Sequence, residues 1–151
     1  MSELIVSNKR KVVCLYQGGR VEAFITPETR NRFTYLIKTV KISEATHNEL
    51  TDFAEALRQV ARATGNVVGK APKGLGYKID PDEPLQIPGE DWTVTFRVFP
   101  NDPRWEVKFT RFAKTGQVRA SVPQFTFSND LASSMQLATV VDQTARLMKK
   151  Y

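Results

Sequence analysis

The chain has 151 residues, 41% hydrophobic and 25% charged, with 22 basic against 16 acidic side chains and a formal charge of +6. That length suits one domain with a core of its own. The apolar content excludes an intrinsically disordered chain, and no apolar run approaches the roughly 20 residues of a membrane span. A single cysteine, Cys14, and a single histidine, His47, exclude an intramolecular disulfide and a zinc site of Cys and His ligands. The opening MSELIVSNKRK has only a three-residue apolar stretch, so no secretory signal is expected. The expected setting is a reducing one, the bacterial or infected-host cytoplasm.

In chain order, residues 12–16 and 21–25 read as strands around a Gly-Gly turn, Pro27 is expected to stop the second, and residues 33–42 (FTYLIKTVKI) read as a third. Ser43 is expected to cap a helix. Its stripe is Leu50, Phe53, Ala54, Leu57, Ala61 and Thr64, and Gly65 is its expected end. Residues 65–90 hold five of the eight glycines and four of the eight prolines, and read either as a flexible linker or as a basic loop that closes on a ligand. Residues 92–99, 104–112 and 117–125 alternate apolar and polar, with turns at 100–103 and 113–116. Ser128 or Asn129 is expected to cap a second helix, with the stripe Leu131, Met135, Ala138, Val141, Ala145 and Met148.

The two helices superimpose at one offset, with Phe53 on Leu137, Gln59 on Gln143, Ala61 on Ala145 and Arg62 on Arg146, 84 residues apart (137 − 53). The expectation is therefore an α+β fold in which two antiparallel strand-rich units are each followed by a helix, β-β-β(-β)-α repeated, with sheets packed on helices. Residues 1–151 form one domain of two pseudo-repeats, about 9–64 and 91–151, joined by the connection 65–90.

A four-residue loop at 100–103 pairs Phe99 with Arg104, and one at 113–116 continues the same meander. Trp92, Val94, Phe96, Val98, Trp105, Val107, Phe109, Arg111, Val118, Ala120 and Val122 then share one face. The other face carries Arg97, Arg104, Lys108 and Arg119 against Glu106 alone, with Phe99, Phe112, Thr95, Thr110 and Ser121. Cations for phosphates, rings for stacking and hydroxyls tolerant of any base are what a single-strand surface needs. The alternatives for this face are a protein–protein interface and a plain solvated surface. In the first half, Lys9, Arg10, Lys11, Arg20, Arg30, Arg32, Lys38 and Lys41 oppose only Glu22 and Glu28, whereas the first helix gathers acids. Positive charge on strands and loops favours sheet-based recognition over a helix in a major groove. Phe24 and Tyr35 are either further platforms or core residues.

Residues 65–71 (GNVVGKA) fall one residue short of a phosphate loop and lack its hydroxyl. No catalytic triad, carboxylate pair or metal set appears, so the expectation is a non-enzyme without a cofactor.

The doubled strands-then-helix layout, with basic and aromatic residues on the sheet, resembles the Whirly and Pur groups of single-stranded nucleic-acid-binding proteins. Those families use four strands per repeat, against three convincing ones in each half here. The Gly-Lys-Ala of residues 69–71 echoes a Whirly signature but lies in a Pro/Gly loop, and its role is not carried over. Size, charge and layout are also similar to the small phage proteins that coat single-stranded DNA and act as cofactors for a phage RNA polymerase. The resemblance implies a single-stranded DNA-binding protein with little sequence preference, acting in transcription or replication. RNA polymerase is then a partner, assembly is as a homo-oligomer, dimer or tetramer, and no membrane is involved. The residues expected to bind are Arg97, Phe99, Arg104, Lys108, Phe112 and Arg119 on the sheet, Lys70, Lys73, Tyr77 and Lys78 in the connection, and Arg32 and Lys38 in the first half. The alternatives are a protein-interaction module and an RNA-binding protein.

Overall fold

The computed structural model describes residues 2–28, 32–39, 42–82, 85–122, 124–128 and 130–151, leaving the side chains of residues 27, 28, 32, 33, 35 and 39 outside the description. The elements of the first half are β1 (Glu3–Ser7), β2 (Lys11–Tyr16), β3 (Gly19–Glu28), β4 (Arg32–Thr39), β5 (Ile42–Ala45) and α1 (His47–Val68). The second half supplies β6 (Pro81–Asp82), β7 (Trp92–Arg97), β8 (Glu106–Arg111), β9 (Val118–Val122), β10 (Thr126–Ser128) and α2 (Leu131–Met148). This is the expected α+β arrangement of antiparallel strands with a helix closing each half.

The strands form two five-stranded sheets, ordered β1-β2-β3-β4-β10 and β5-β9-β8-β7-β6. Each half therefore gives its last strand to the other half's sheet: β10 lies against β4, and β5 against β9. The expected strand over residues 33–42 is accordingly two strands in two sheets, and Ser43 belongs to β5 rather than to a helix cap. β5 makes its crossing with a register shift between Ile42 and Ala45, where Glu44 takes φ 57. A bulge of this kind bends an edge strand and increases its twist. Pro27 does not stop β3, which continues to Glu28.

The helices carry the symmetry into the interior. α1 packs on β1, β2 and β3, α2 on β7, β8 and β9, and the two helices pack on each other. The start of α2 lies beside the end of α1, since a Cβ on Gly65 would stand 3.5 Å from Leu131 Cδ1, so they run antiparallel. Phe53, Leu50, Leu57, Leu137, Val94 and Phe109 are fully buried between the layers. Each such side chain contributes about 1.5–3 kcal/mol through removal from water.

Both N-caps sit one to three residues beyond the expected ones. Thr46 Oγ1 accepts from the Glu49 N–H at 3.2 Å, and Asp130 Oδ1 accepts from the Ser133 N–H at 2.9 Å. The two caps are themselves 84 residues apart (130 − 46). The same offset places Arg20-Val-Glu-Ala-Phe-Ile-Thr26 on Arg104-Trp-Glu-Val-Lys-Phe-Thr110, identical at Arg, Glu and Thr. β3 and β8 are thus the same strand of one repeated unit, strands β1–β5 with α1 and β6–β10 with α2.

α1 does not end at Gly65. It continues to Val68 and closes on Gly69, whose φ of 73 is the left-handed conformation that glycine adopts without strain.

Candidate nucleic-acid interface

The observed pairings set Thr95 opposite Lys108, Arg97 opposite Glu106, Lys108 opposite Ser121 and Thr110 opposite Arg119. The register read from the sequence for β7, β8 and β9 is the one found. Val94, Phe96, Val107, Phe109, Ala120 and Val122 point inward and are buried. The outer face holds Thr93, Thr95, Lys108, Thr110, Arg119 and Ser121, with Thr93 Oγ1 and Thr110 Oγ1 sharing a hydrogen bond of 2.8 Å. Lys108 is exposed and Arg119 half-buried, and neither has an ion-pair partner among the described residues.

Two of the expected cations are differently placed. Arg97 stands between Asp82, at 3.9 Å, and Glu106, at 4.0 Å, so two carboxylates offset its charge. Asp82 reaches it because β6, not anticipated as a strand, pairs with the edge of β7. Arg104 is tied within its own turn, with Nε and Nη2 each 3.0 Å from the two carboxylate oxygens of Asp102. The Arg104 hydrogen bonds hold the Asp102 carboxyl below its ordinary pKa, and Asp102 raises that of Arg104. A bidentate pair of this sort fixes the turn and leaves less net charge for a ligand.

The aromatic residues also divide. Phe99 is half-buried, with ring contacts to Tyr77 at 6.4 Å, Trp105 at 5.6 Å and Phe127 at 6.4 Å. Trp105 in turn stacks on Phe125 at 4.1 Å. Phe99 is therefore not the exposed platform expected of it, because the β7–β8 hairpin end meets β10 there and the rings close a small apolar cluster. Phe112, at the end of β8, is half-buried and has no ring partner among the described residues.

The described part of the connection is anchored at several points. Its first residues belong to α1, the Lys70 N–H donates to the Gly65 carbonyl at 2.9 Å, Tyr77 meets Phe99, and residues 81–82 form β6. Lys70, Lys73 and Lys78 are exposed, and Lys78 lies 3.5 Å from Asp80.

In the first half, Lys38 is exposed on the outer face of β4, opposite Glu22. Arg32 lies in β4, but its side chain, like that of Tyr35, falls outside the described residues, as do Arg30 and Lys41. Phe24 is on the outer face, half-buried, with the Lys11 ammonium 5.2 Å from its ring centre. Arg20 and Lys11 both pair with Glu22, at 3.2 and 3.7 Å. Position for position, the two outer faces have diverged: Phe24 corresponds to Lys108, Val13 to Arg97, Leu36 to Ser121 and Thr34 to Arg119. The first sheet's face leaves Leu15 and Leu36 in solvent, while the second's is polar and basic.

Elsewhere, an open cavity of about 470 Å³ lies along α1, lined by Ser2, Gln17, Asn48, Thr51, Asp52, Glu55 and Arg58. Among the described residues no three His, Cys, Asp or Glu side chains form a metal-binding group, and no helix is long and apolar enough to cross a membrane. Comparison with protein-family models, curated proteins and solved structures finds no match to this chain.

Proposed function

We propose that the chain binds single-stranded DNA with little sequence preference through the outer face of the sheet β5-β9-β8-β7-β6. The observation that carries this reading is the pair Lys108 and Arg119, two cations without carboxylate partners among the described residues, set in a row of threonine and serine hydroxyls. Cations that are not internally neutralised attract phosphates, and hydroxyls accept any base edge. Phe112, without a ring partner among the described residues, directly follows β8, the strand that carries Lys108. The net charge of +6 acts in the same direction. The likeness of layout to the Whirly and Pur groups supports the same reading. The likeness to phage DNA-coating proteins extends it to a role in transcription or replication, with RNA polymerase and further copies of the chain as partners.

Fluorescence anisotropy of a labelled oligothymidine over a range of salt concentrations tests the proposal. Binding that weakens steeply with salt, and that a matched duplex competes for poorly, is the expected result. Equal affinity for duplex and single strand would count against base stacking, and matched DNA and RNA competitors decide between the two nucleic acids. Exposed Leu36 opposite Phe24, with exposed Leu15 further along the same face, favours a second reading, in which the first sheet's face docks a protein. A chain that serves only that purpose leaves the oligonucleotide unbound.

A further inference from the structure

The geometry points to Tyr77, in the connection rather than on the sheet, as a docking ring for an unpaired nucleobase. This inference rests on the single-strand reading above and adds to it where a base is held. Tyr77 is 45% exposed and makes an edge-to-face contact with Phe99, at 6.4 Å and an interplanar angle of 88°. An edge-to-face contact occupies at most one face of either ring, and Tyr77 has no second ring contact among the described residues. At least one face of Tyr77 is therefore free of other rings. Phe99 behind it is engaged by three rings and cannot present a face in the same way.

The ring is braced on one side, by Phe99. Phe99, Trp105 and Phe125 continue the ring contacts into the interior, so Tyr77 leans on a packed support. A pre-positioned ring loses little conformational freedom when a base stacks on it. The exposed ammonium groups of Lys73 and Lys78 flank it in the chain, and phosphates adjoin every base that would stack there. Lys78 has Asp80 at 3.5 Å, so Lys73 is the cation of the two without an ion-pair partner among the described residues.

The test uses the intact chain with an oligothymidine in which single thymines are replaced by 5-iodouracil, irradiated and mapped by mass spectrometry. A cross-link on the peptide containing Tyr77 is expected. Tyr77→Ala should weaken binding about tenfold with the salt slope unchanged, and Tyr77→Phe should stay close to the parent, since the ring makes the contact. If the oligomer binds but cross-links only elsewhere, and Tyr77→Ala binds as the parent does, the docking ring is wrong while the cationic face stands. If the parent chain binds no oligothymidine at all, both fall.

Discussion

Arg58 and Asp142 meet across the two helices at 3.3 Å, although they occupy the same place in the two halves, 84 residues apart (142 − 58). Equivalent positions in contact mean that the pseudo-twofold axis passes between them. Asp142 also pairs with Arg146 at 3.0 Å, and Arg58 with Glu55 at 3.6 Å, so a mostly buried carboxylate joins two guanidinium groups at the centre of the helix pair. Asp142→Ala should destabilise the fold by about 1–2 kcal/mol, because Arg58 would lose its inter-helix partner while remaining largely buried. Urea unfolding measures this, and an unchanged midpoint would show that the network contributes nothing.

The cations of the proposed interface are not equivalent. Lys108→Ala should lower the slope of log affinity against log salt by about one, the value for one phosphate contact. Arg104→Ala should change it less, since Asp102 already neutralises that guanidinium. Anisotropy titrations at several salt concentrations separate the two. A larger loss of slope at Arg104 than at Lys108 would contradict the assignment.

Phe99 and Phe112 should respond in different assays. Phe99→Ala removes a half-buried ring from the cluster with Trp105 and Phe127, and should cost about 1–3 kcal/mol of stability. Phe112→Ala, at a half-buried ring outside that cluster, should cost less stability and weaken oligonucleotide binding roughly tenfold at constant salt slope. Paired thermal melts and titrations give both readings.

Gly65 lies inside α1, where alanine is ordinarily better by about 1 kcal/mol. Here a Cβ would stand 2.5 Å from the Lys70 carbonyl oxygen and 3.2 Å from Pro72 Cδ. Gly65→Ala should therefore destabilise, by about 1–3 kcal/mol, as backbone is forced apart where the connection folds back over the helix. A rise in melting temperature would show that the connection yields freely.

Alkaline pH should loosen the first layer. Burial pushes the Cys14 thiol from 9.0 to about 11, with Asp52, Glu55 and Glu3 adding repulsion. Burial likewise pushes the Tyr16 phenol from 10.0 to about 12, with Glu49 and Asp52 contributing. Both groups hold their protons longer in the folded chain than in the unfolded one. Their contribution is complete below about pH 9 and is lost as pH rises towards about 12. Urea midpoints should fall between about pH 8 and about pH 10.5, and less so in Cys14→Ala. Identical profiles for parent and variant would remove Cys14 from the account.

Much of this was legible in the residues. Strict alternation and four-residue turns set the register of β7, β8 and β9, and the common helix offset disclosed the repeat. β5 and β10 were not legible: Ile-Ser-Glu-Ala and Thr-Phe-Ser are too short to show a period, and their partners are distant in sequence. The same blindness moved both helix caps, since Ser43 and Ser128 are plausible caps that instead lie in those strands. The carboxylate partners of Arg97 and Arg104 were not legible because Asp82 and Asp102 come from segments read as plain loops. The matched Arg-x-Glu-x-x-x-Thr of residues 20–26 and 104–110 was the signal that would have aligned strands as well as helices.

The strand exchange bears on what a protease could do to this protein. A cut within residues 70–80 severs the only covalent link there, yet each fragment keeps hold of the other through β5 on β9 and β10 on β4. The nicked halves should stay clasped and elute together under native conditions. Expressed singly, either one would present a bare sheet edge and an uncovered helix, and should precipitate unless its complement were supplied.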